Sequence, residues 1–342
     1  MSLRVGLYDD PLFRRHDAGP GHPERPERLD ALRRGLAESG QEEALDRLAP
    51  PEATRESLER VHTRRHVDEI LATRGRTVRF DADTQAGPES CAAALRAAGA
   101  VTDAVDRVLD GRLDRAFCAV RPPGHHAEAE RAMGFCYLNN VAVGAAQALA
   151  RGLDRVLVVD FDVHHGNGTQ AAFWSDPRVL YVSSHQYPFY PGSGAPQETG
   201  AGKGRGFTVN LALPAGCGDA EYAALYHHVV VRIGRSFDPQ LVLVSAGFDA
   251  HVDDPLAGMR LTPSGFGEVM SACLATAEGA ARGRVVVALE GGYDLDGIAA
   301  SAAEVVRRLR GGAAPAPSVE SPSADRLAGK YRRFFADYWP LD

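Results

Sequence analysis

Residues 158–170 read VVDFDVHHGNGTQ, placing Asp160, Asp162, His164 and His165 together directly after a β-branched apolar run. A strand end meeting solvent would account for one such acid. It accounts poorly for the whole set, because RVLVVDF (155–161) has the pattern of a strand buried on both faces and Asp160 comes before the chain has left the core. A buried carboxylate is costly unless it is paired or bound to a cation. Residues two apart on a strand share a face, which would align Asp160, Asp162 and His164 on one side, with Phe161 and Val163 on the other. Carboxylates and an imidazole aligned in this way can close on one metal ion.

Three further apolar runs end in reactive side chains. AFCAVRPPGHH (116–126) turns at Pro122, Pro123 and Gly124 and presents His125 and His126; LVLVSAGFD (241–249) ends at Asp249; VVVALEGGY (285–293) reaches Tyr293 through two glycines that allow close backbone approach. Each alone has a plain reading. Paired histidines occur on surfaces, as His227 and His228 within EYAALYHHVVVRI would on a helix, and a tyrosine after glycines commonly packs. Together they suit hydrolysis of an amide at one metal. Asp162, His164 and Asp249 would give three ligands and leave a position for water, zinc and iron(II) both being acceptable to that set. The metal would polarise the carbonyl and acidify the water. A histidine would take the proton and return it to the leaving amine, while Tyr293 would donate to the developing oxyanion.

These residues need a scaffold that brings strand ends together. β-rich runs RVGLY, AFCAV, RVLVVDF, RVLYVSS, FTVNLAL, LVLVSAGF and RVVVALEGG alternate with helical stretches at 88–110, 138–151, 219–236, 263–282 and 295–310. That alternation predicts an α/β fold with a mainly parallel central sheet covered by helices on both faces. In such sheets ligands bind beyond the carboxyl ends of the strands, where all the residues above lie. No repeat or long linker interrupts residues 1–310, so residues 1–342 are expected to form a single domain. Residues 311–323 read as a loop, and a helix at 324–340, with Leu327, Tyr331, Phe334, Phe335 and Tyr338 at helical spacing, is expected to dock on that domain.

Composition narrows the class. The chain has 342 residues, 44% of them hydrophobic, and a formal net charge of −7, which argues against a nucleic-acid groove. No apolar run is long enough to span a bilayer and the start MSLRVGLYDD lacks a signal-peptide pattern, so a cytoplasmic protein without a membrane partner is expected. The five cysteines have no paired spacing and are expected to be reduced and mostly buried.

The chain resembles the zinc-dependent histone deacetylase family, which shares the arginase/deacetylase-like three-layer αβα fold. The resemblance is carried by GHPERPERLDAL, RPPGHHAEAERAMGFCYLNN, VVDFDVHHGNGTQ, FYPGSG, SAGFDAHVDDPLAGMRLT and LEGGYDL, in that order. It is closest to the class II and bacterial deacetylase-like amidohydrolases, a group that includes acetylpolyamine hydrolases. The resemblance implies zinc on Asp162, His164 and Asp249, with His125, His126 and Tyr293 catalytic and His165 a neighbour only. Asp160 would orient His125, and Asn167 would stand beside His126 where class I enzymes have an aspartate. A structural potassium would use the Asp160 side chain, the backbone carbonyls of Asp162, His164 and Ser184, and the Ser183 hydroxyl. Gly134, Phe135, Tyr190 and Leu256 would line a narrow tunnel, and Arg28 matches a position near an internal product channel. With a carboxylate beside His125 and a neutral amide beside His126, His126 becomes the general base.

The expected substrate is acetyl-lysine in a protein or peptide, with Asp83 in DADTQAGP as an acceptor for the peptide backbone. The alternative is an acetylated polyamine, whose second amine would need a rim acid, the candidates being Glu128, Glu130, Asp253 and Asp254. An arginase-like ureohydrolase is less consistent, because His251 stands where a further bridging carboxylate is needed and the His125–His126 pair would have no task. A non-catalytic acetyl-binding protein would have no use for the complete set of reactive residues. The oligomeric state stays open, a homodimer included.

Overall fold

The structure is a computed structural model that describes residues 3–313 and 321–341. Its strands are β1 (Val5–Tyr8), β2 (Asp46–Leu48), β3 (Val78–Arg79), β4 (Gln85–Ala86), β5 (Arg115–Cys118), β6 (Val156–Asp160), β7 (Val179–Gln186), β8 (Thr208–Leu213), β9 (Leu241–Ala246) and β10 (Val285–Leu289). The helices are α1 (Glu27–Glu38), α2 (Arg55–Leu58), α3 (Arg64–Leu71), α4 (Ser90–Leu109), α5 (Asn140–Ala150), α6 (Asn167–Ala172), α7 (Asp219–Leu225), α8 (Val231–Phe237), α9 (Pro263–Thr276), α10 (Leu295–Leu309) and α11 (Pro322–Phe335).

Eight strands form one sheet in the order β2-β1-β5-β10-β9-β6-β7-β8, with every neighbouring pair parallel. All seven strand segments read from the sequence lie in it. Every residue of β6, β9 and β10 is buried, as sheets covered on both faces require. Helices α4 and α5 pack together on one face, while α1, α10, α9 and α7 follow one another on the other. This is the expected three-layer αβα arrangement. Strands β5, β10, β9 and β6 are consecutive neighbours, so the chain after each of them emerges at one edge.

The differences from expectation are local. Short β2 at the sheet edge, the β3–β4 hairpin and α1 carry weak sequence signals. The helix expected at 263–282 stops at Thr276, because the Asp238 carboxylate accepts from the Ala280 N–H, and Arg282 and Gly283 turn with positive φ into β10. The helix expected at 219–236 is continuous to Phe237 but widens by a π turn at Tyr226–Val230, where the Tyr226 hydroxyl meets Ser184 Oγ at 2.8 Å. His227 and His228 sit on that turn as plain helical residues, His227 against Glu268. The 311–323 loop falls partly outside the described residues.

The last helix, expected at 324–340, is α11 at Pro322–Phe335, and it lies against α7. Tyr331 donates to the Ala212 carbonyl at 2.6 Å. Beyond the helix, Trp339 is 9% exposed, lies edge-on to Phe207 and Phe237, and donates to the Gly206 carbonyl at 2.9 Å. Trp339→Ala should therefore lower stability to urea by about 3–5 kcal/mol. A loss under about 1 kcal/mol, the range of ordinary surface substitutions, would mean that this segment does not close the core.

Candidate active site

Strand β6 ends at Asp160, four residues short of His164, so strand alternation does not carry through to it. The cause lies in the side chains: Asp160 Oδ1 accepts from the Asp162 N–H at 3.2 Å, and Asp162 Oδ1 accepts from the His164 N–H at 2.9 Å. Each carboxylate thus curls the chain by capping the amide two residues on. Asp162 and His164 converge through these turns and not by strand alternation, and Asp160 is diverted elsewhere. Its Oδ2 meets His125 Nδ1 at 3.0 Å and the Tyr181 hydroxyl at 3.0 Å.

Asp249, just past β9, accepts from the Val163 N–H at 2.9 Å through Oδ1 and meets His164 Nδ1 at 3.1 Å through Oδ2. His164 Nδ1 is also 3.2 Å from Asp162 Oδ1. One atom each from Asp162, His164 and Asp249 lie within 4.8 Å of one another, the carboxylates buried and His164 nearly so. Asp162 Oδ2 accepts from Gly291 N at 2.8 Å. A Cβ on Gly291 would fall on both carboxylates, and one on Gly247 would fall on Asp162, so each glycine keeps the backbone against a site carboxylate.

The donor set fits a dication. Burial and the Asp162 charge push the Asp249 carboxyl up to about 7, so a cation between the two acids would favour its ionised form. Two oxygens and one nitrogen are what zinc or iron(II) takes. Backbone N–H groups of Val163, His164 and Gly291 also bond the two carboxylates, which fixes them in place.

His125 and His126 follow β5 with ring centroids 4.0 Å apart. Burial opposes charge on His125, but Asp160 and Asp162 outweigh it and hold the ring well above the usual histidine range. Burial and the neighbouring His125 and His164 hold His126 well below it. The two rings are shifted in the directions expected, and burial weighs on His126 more than the identity of residue 167. Asn167 Oδ1 stands 2.8 Å from His126 Nδ1.

A narrow pocket reaches these groups, walled by His125, His126, Gly134, Phe135, His164, Tyr190, Leu256 and Tyr293, with Asp83 at its mouth. Gly134 and Phe135 both take positive φ, which brings the backbone at Gly134 against the His126 ring. Phe135 lies edge-on to Tyr293. Phe189 stacks on His164 at 5.3 Å, a contact that FYPGSG did not announce.

Other expected site residues lie elsewhere. Arg28 does not line the pocket: it is fully buried behind it, donating to the carbonyls of Gly292 at 2.6 Å and Glu290 at 2.5 Å, with its guanidinium 4.9 Å from the Tyr293 ring centre. It holds the glycine turn that carries Tyr293. Ser183 Oγ engages His185 and Ser184 Oγ engages Tyr226. His165 turns away to Ser193 and Gln170. Among the proposed rim acids, Asp254 is buried and caps the N–H groups of Tyr293, Asp294 and Leu256, and Glu128 bonds Asn167, so neither is free to meet an amine. Glu290, a residue the sequence did not single out, accepts from the Gly124 N–H at 2.6 Å and the Ser245 hydroxyl at 3.0 Å, tying the histidine loop to β9 and β10.

A family model described as "Histone deacetylase domain" matches residues 22–309. A "Probable deacetylase" of Archaeoglobus fulgidus is 41% identical over 297 residues, 86% of this chain and 82% of that protein. "Histone deacetylase 5" of Arabidopsis thaliana is 38% identical over 98% of this chain and 54% of its own length, and "Histone deacetylase 15" of the same plant is 44% identical over 85% and 53%. The chain thus spans about half the length of these plant relatives. A solved structure, "Crystal Structure of HDA15 HD domain", is 38% identical and aligns with a TM-score of 0.91 over 99% of this chain and 96% of that one. Matched across its strands, its reactive segments and its three layers, the chain belongs to the histone deacetylase family.

Proposed function

We propose that this chain is a single-domain, metal-dependent deacetylase that hydrolyses the amide of an acetylated amine, with acetyl-lysine in a protein or peptide as its preferred substrate. The observation that carries the reading is the convergence of Asp162, His164 and Asp249 at the foot of a narrow pocket beside a neutral histidine and Tyr293. When bound to those three residues, zinc, or iron(II) in its place, supplies Lewis-acid polarisation of the amide carbonyl and of a water.

The chain's own groups do the rest. His126, held neutral, takes a proton from the attacking water and delivers it to the departing amine nitrogen. His125, held positive by Asp160, adds a fixed charge beside the reacting carbonyl. Tyr293 donates its hydroxyl proton to the oxygen that gains negative charge, from a turn braced by Arg28 and Asp254. Phe135, Tyr190 and Leu256 exclude water from the lysine methylenes, and Asp83 at the mouth accepts a backbone N–H of the peptide. The potassium site rests on the resemblance and on the pairing of buried Asp160 with Ser183 across β6 and β7, and no step of the reaction uses it. Five buried cysteines, none in a disulfide, support action in a reducing compartment such as the cytoplasm, and among the described residues no helix is long and apolar enough to cross a membrane.

One observation favours a second reading. Burial and the neighbouring Asp81 push up the Asp83 carboxyl at the pocket mouth, and a paired acid there would welcome the second amine of an acetylpolyamine. Against it, Leu256 presents an apolar wall, and Glu128 and Asp254 are engaged elsewhere. Higher kcat/KM on several unrelated acetyl-lysine peptides than on acetylspermidine and acetylputrescine is the expected result, and the reverse order would give the polyamine reading the site. Tyr293→Phe should cut turnover of an acetyl-lysine peptide about a hundredfold or more while the melting temperature stays near that of the parent. Unchanged turnover would reduce Tyr293 to a packing residue.

A further inference from the structure

Glu128 lies two residues beyond His126, half-buried, with its side chain turned inward from the rim. Its backbone is held at both ends. The N–H donates to the Arg131 carbonyl at 2.9 Å, and the carbonyl accepts from His62 Nδ1 at 2.9 Å. The His62 contact has a fixed polarity, because His62 Nε2 accepts from the Asn139 N–H at 2.9 Å, leaving Nδ1 as the donor.

From that anchored position Glu128 Oε1 accepts from Asn167 Nδ2 at 2.8 Å. The same amide nitrogen faces the His126 carbonyl and Met133 Sδ, both at 3.4 Å. All three neighbours are acceptors. A flipped amide would turn its oxygen onto a carboxylate, a carbonyl and a thioether with no proton between them, so the orientation of Asn167 is determined by its surroundings. Its oxygen must then face His126 Nδ1, at 2.8 Å. An amide oxygen only accepts, which requires His126 to carry its proton on Nδ1 and its lone pair on Nε2.

We propose that Glu128 is a positioning residue: acting through Asn167, it selects the His126 tautomer whose basic nitrogen is Nε2, on the side of the ring away from Asn167. The carboxylate is the strongest of the three acceptors around the amide nitrogen, and the only one whose charge makes the flipped orientation repulsive. Asn167 alone would not fix the tautomer, since a freely rotating amide can offer its NH2 group to Nδ1 and thereby place the proton on Nε2. The inference rests on the proposed role of His126 as general base.

The test uses the metal-loaded full chain, Glu128→Ala, Glu128→Met, which fills the same space without an oxygen, and Glu128→Gln, which keeps an acceptor oxygen. Two measurements are made, kcat and KM on an acetyl-lysine peptide and the imidazole nitrogen–proton correlation pattern of His126 by NMR. The parent should show a single Nδ1–H tautomer. Glu128→Ala and Glu128→Met should lose kcat about ten- to a hundredfold at unchanged KM, with an Nε2–H population appearing, and Glu128→Gln should retain most of kcat. Parental kcat in Glu128→Met, or lost kcat with the His126 ring still wholly Nδ1–H, would overturn the proposal. If the parent turned over no acetylated amide, the function proposed above would fail instead. The ring pattern would then decide this inference alone, an unchanged tautomer in Glu128→Met refuting it and a mixed one upholding it.

Discussion

Asp162 and Asp249 are two fully buried carboxylates held against one imidazole, and the architecture around them answers the electrostatic problem they create. Like charges this close in a low-dielectric interior cannot both persist without compensation. Backbone N–H groups from Val163, His164 and Gly291 provide part of it, arriving from the chain after β6 and from the turn after β10. A dication bound between the two carboxylates would complete it. The acids are placed by adjacent parallel strands, so convergence follows from sheet order and needs no long-range loop.

That constraint propagates outward. Gly247 and Gly291 exist as glycines because any side chain would displace a carboxylate. Asp160, the last residue of β6, cannot join the cluster without adding a third negative charge, and it is paired instead with His125 and Tyr181. The charge on His125 in turn helps to keep His126 neutral. Behind the turn, Arg28 and Glu24 form a buried ion pair that also engages Arg121 and His16, so the β10 turn, α1 and the start of the histidine loop share one electrostatic anchor.

Most of the scaffold was legible because β6, β9 and β10 are unbroken apolar runs whose ends carry acids or a glycine pair, a pattern few environments tolerate. The residues Asp162, His164 and Asp249 could be read for the same reason. The route by which they meet could not. Strand alternation and carboxylate-capped turns bring the same three side chains together, and only the hydrogen bonds of Asp160 and Asp162 to amides two residues on distinguish them. Glu128 read as a candidate rim acid because its partner, Asn167, is far away in sequence, and nothing local to Arg28 reveals that it binds the carbonyls after β10. Short β2 depends on pairing with β1 and has almost no pattern of its own.

A metal ion on the Asp162–His164–Asp249 cluster would account for the buried charge. Metal analysis of the purified chain and of Asp249→Ala tests it most directly, with circular dichroism to verify that both are folded. The parent should carry about one equivalent of divalent metal, as a three-ligand catalytic site holds, and the variant should be folded but metal-poor. Equal metal content in the two proteins would remove Asp249 from the ligand set and contradict the account.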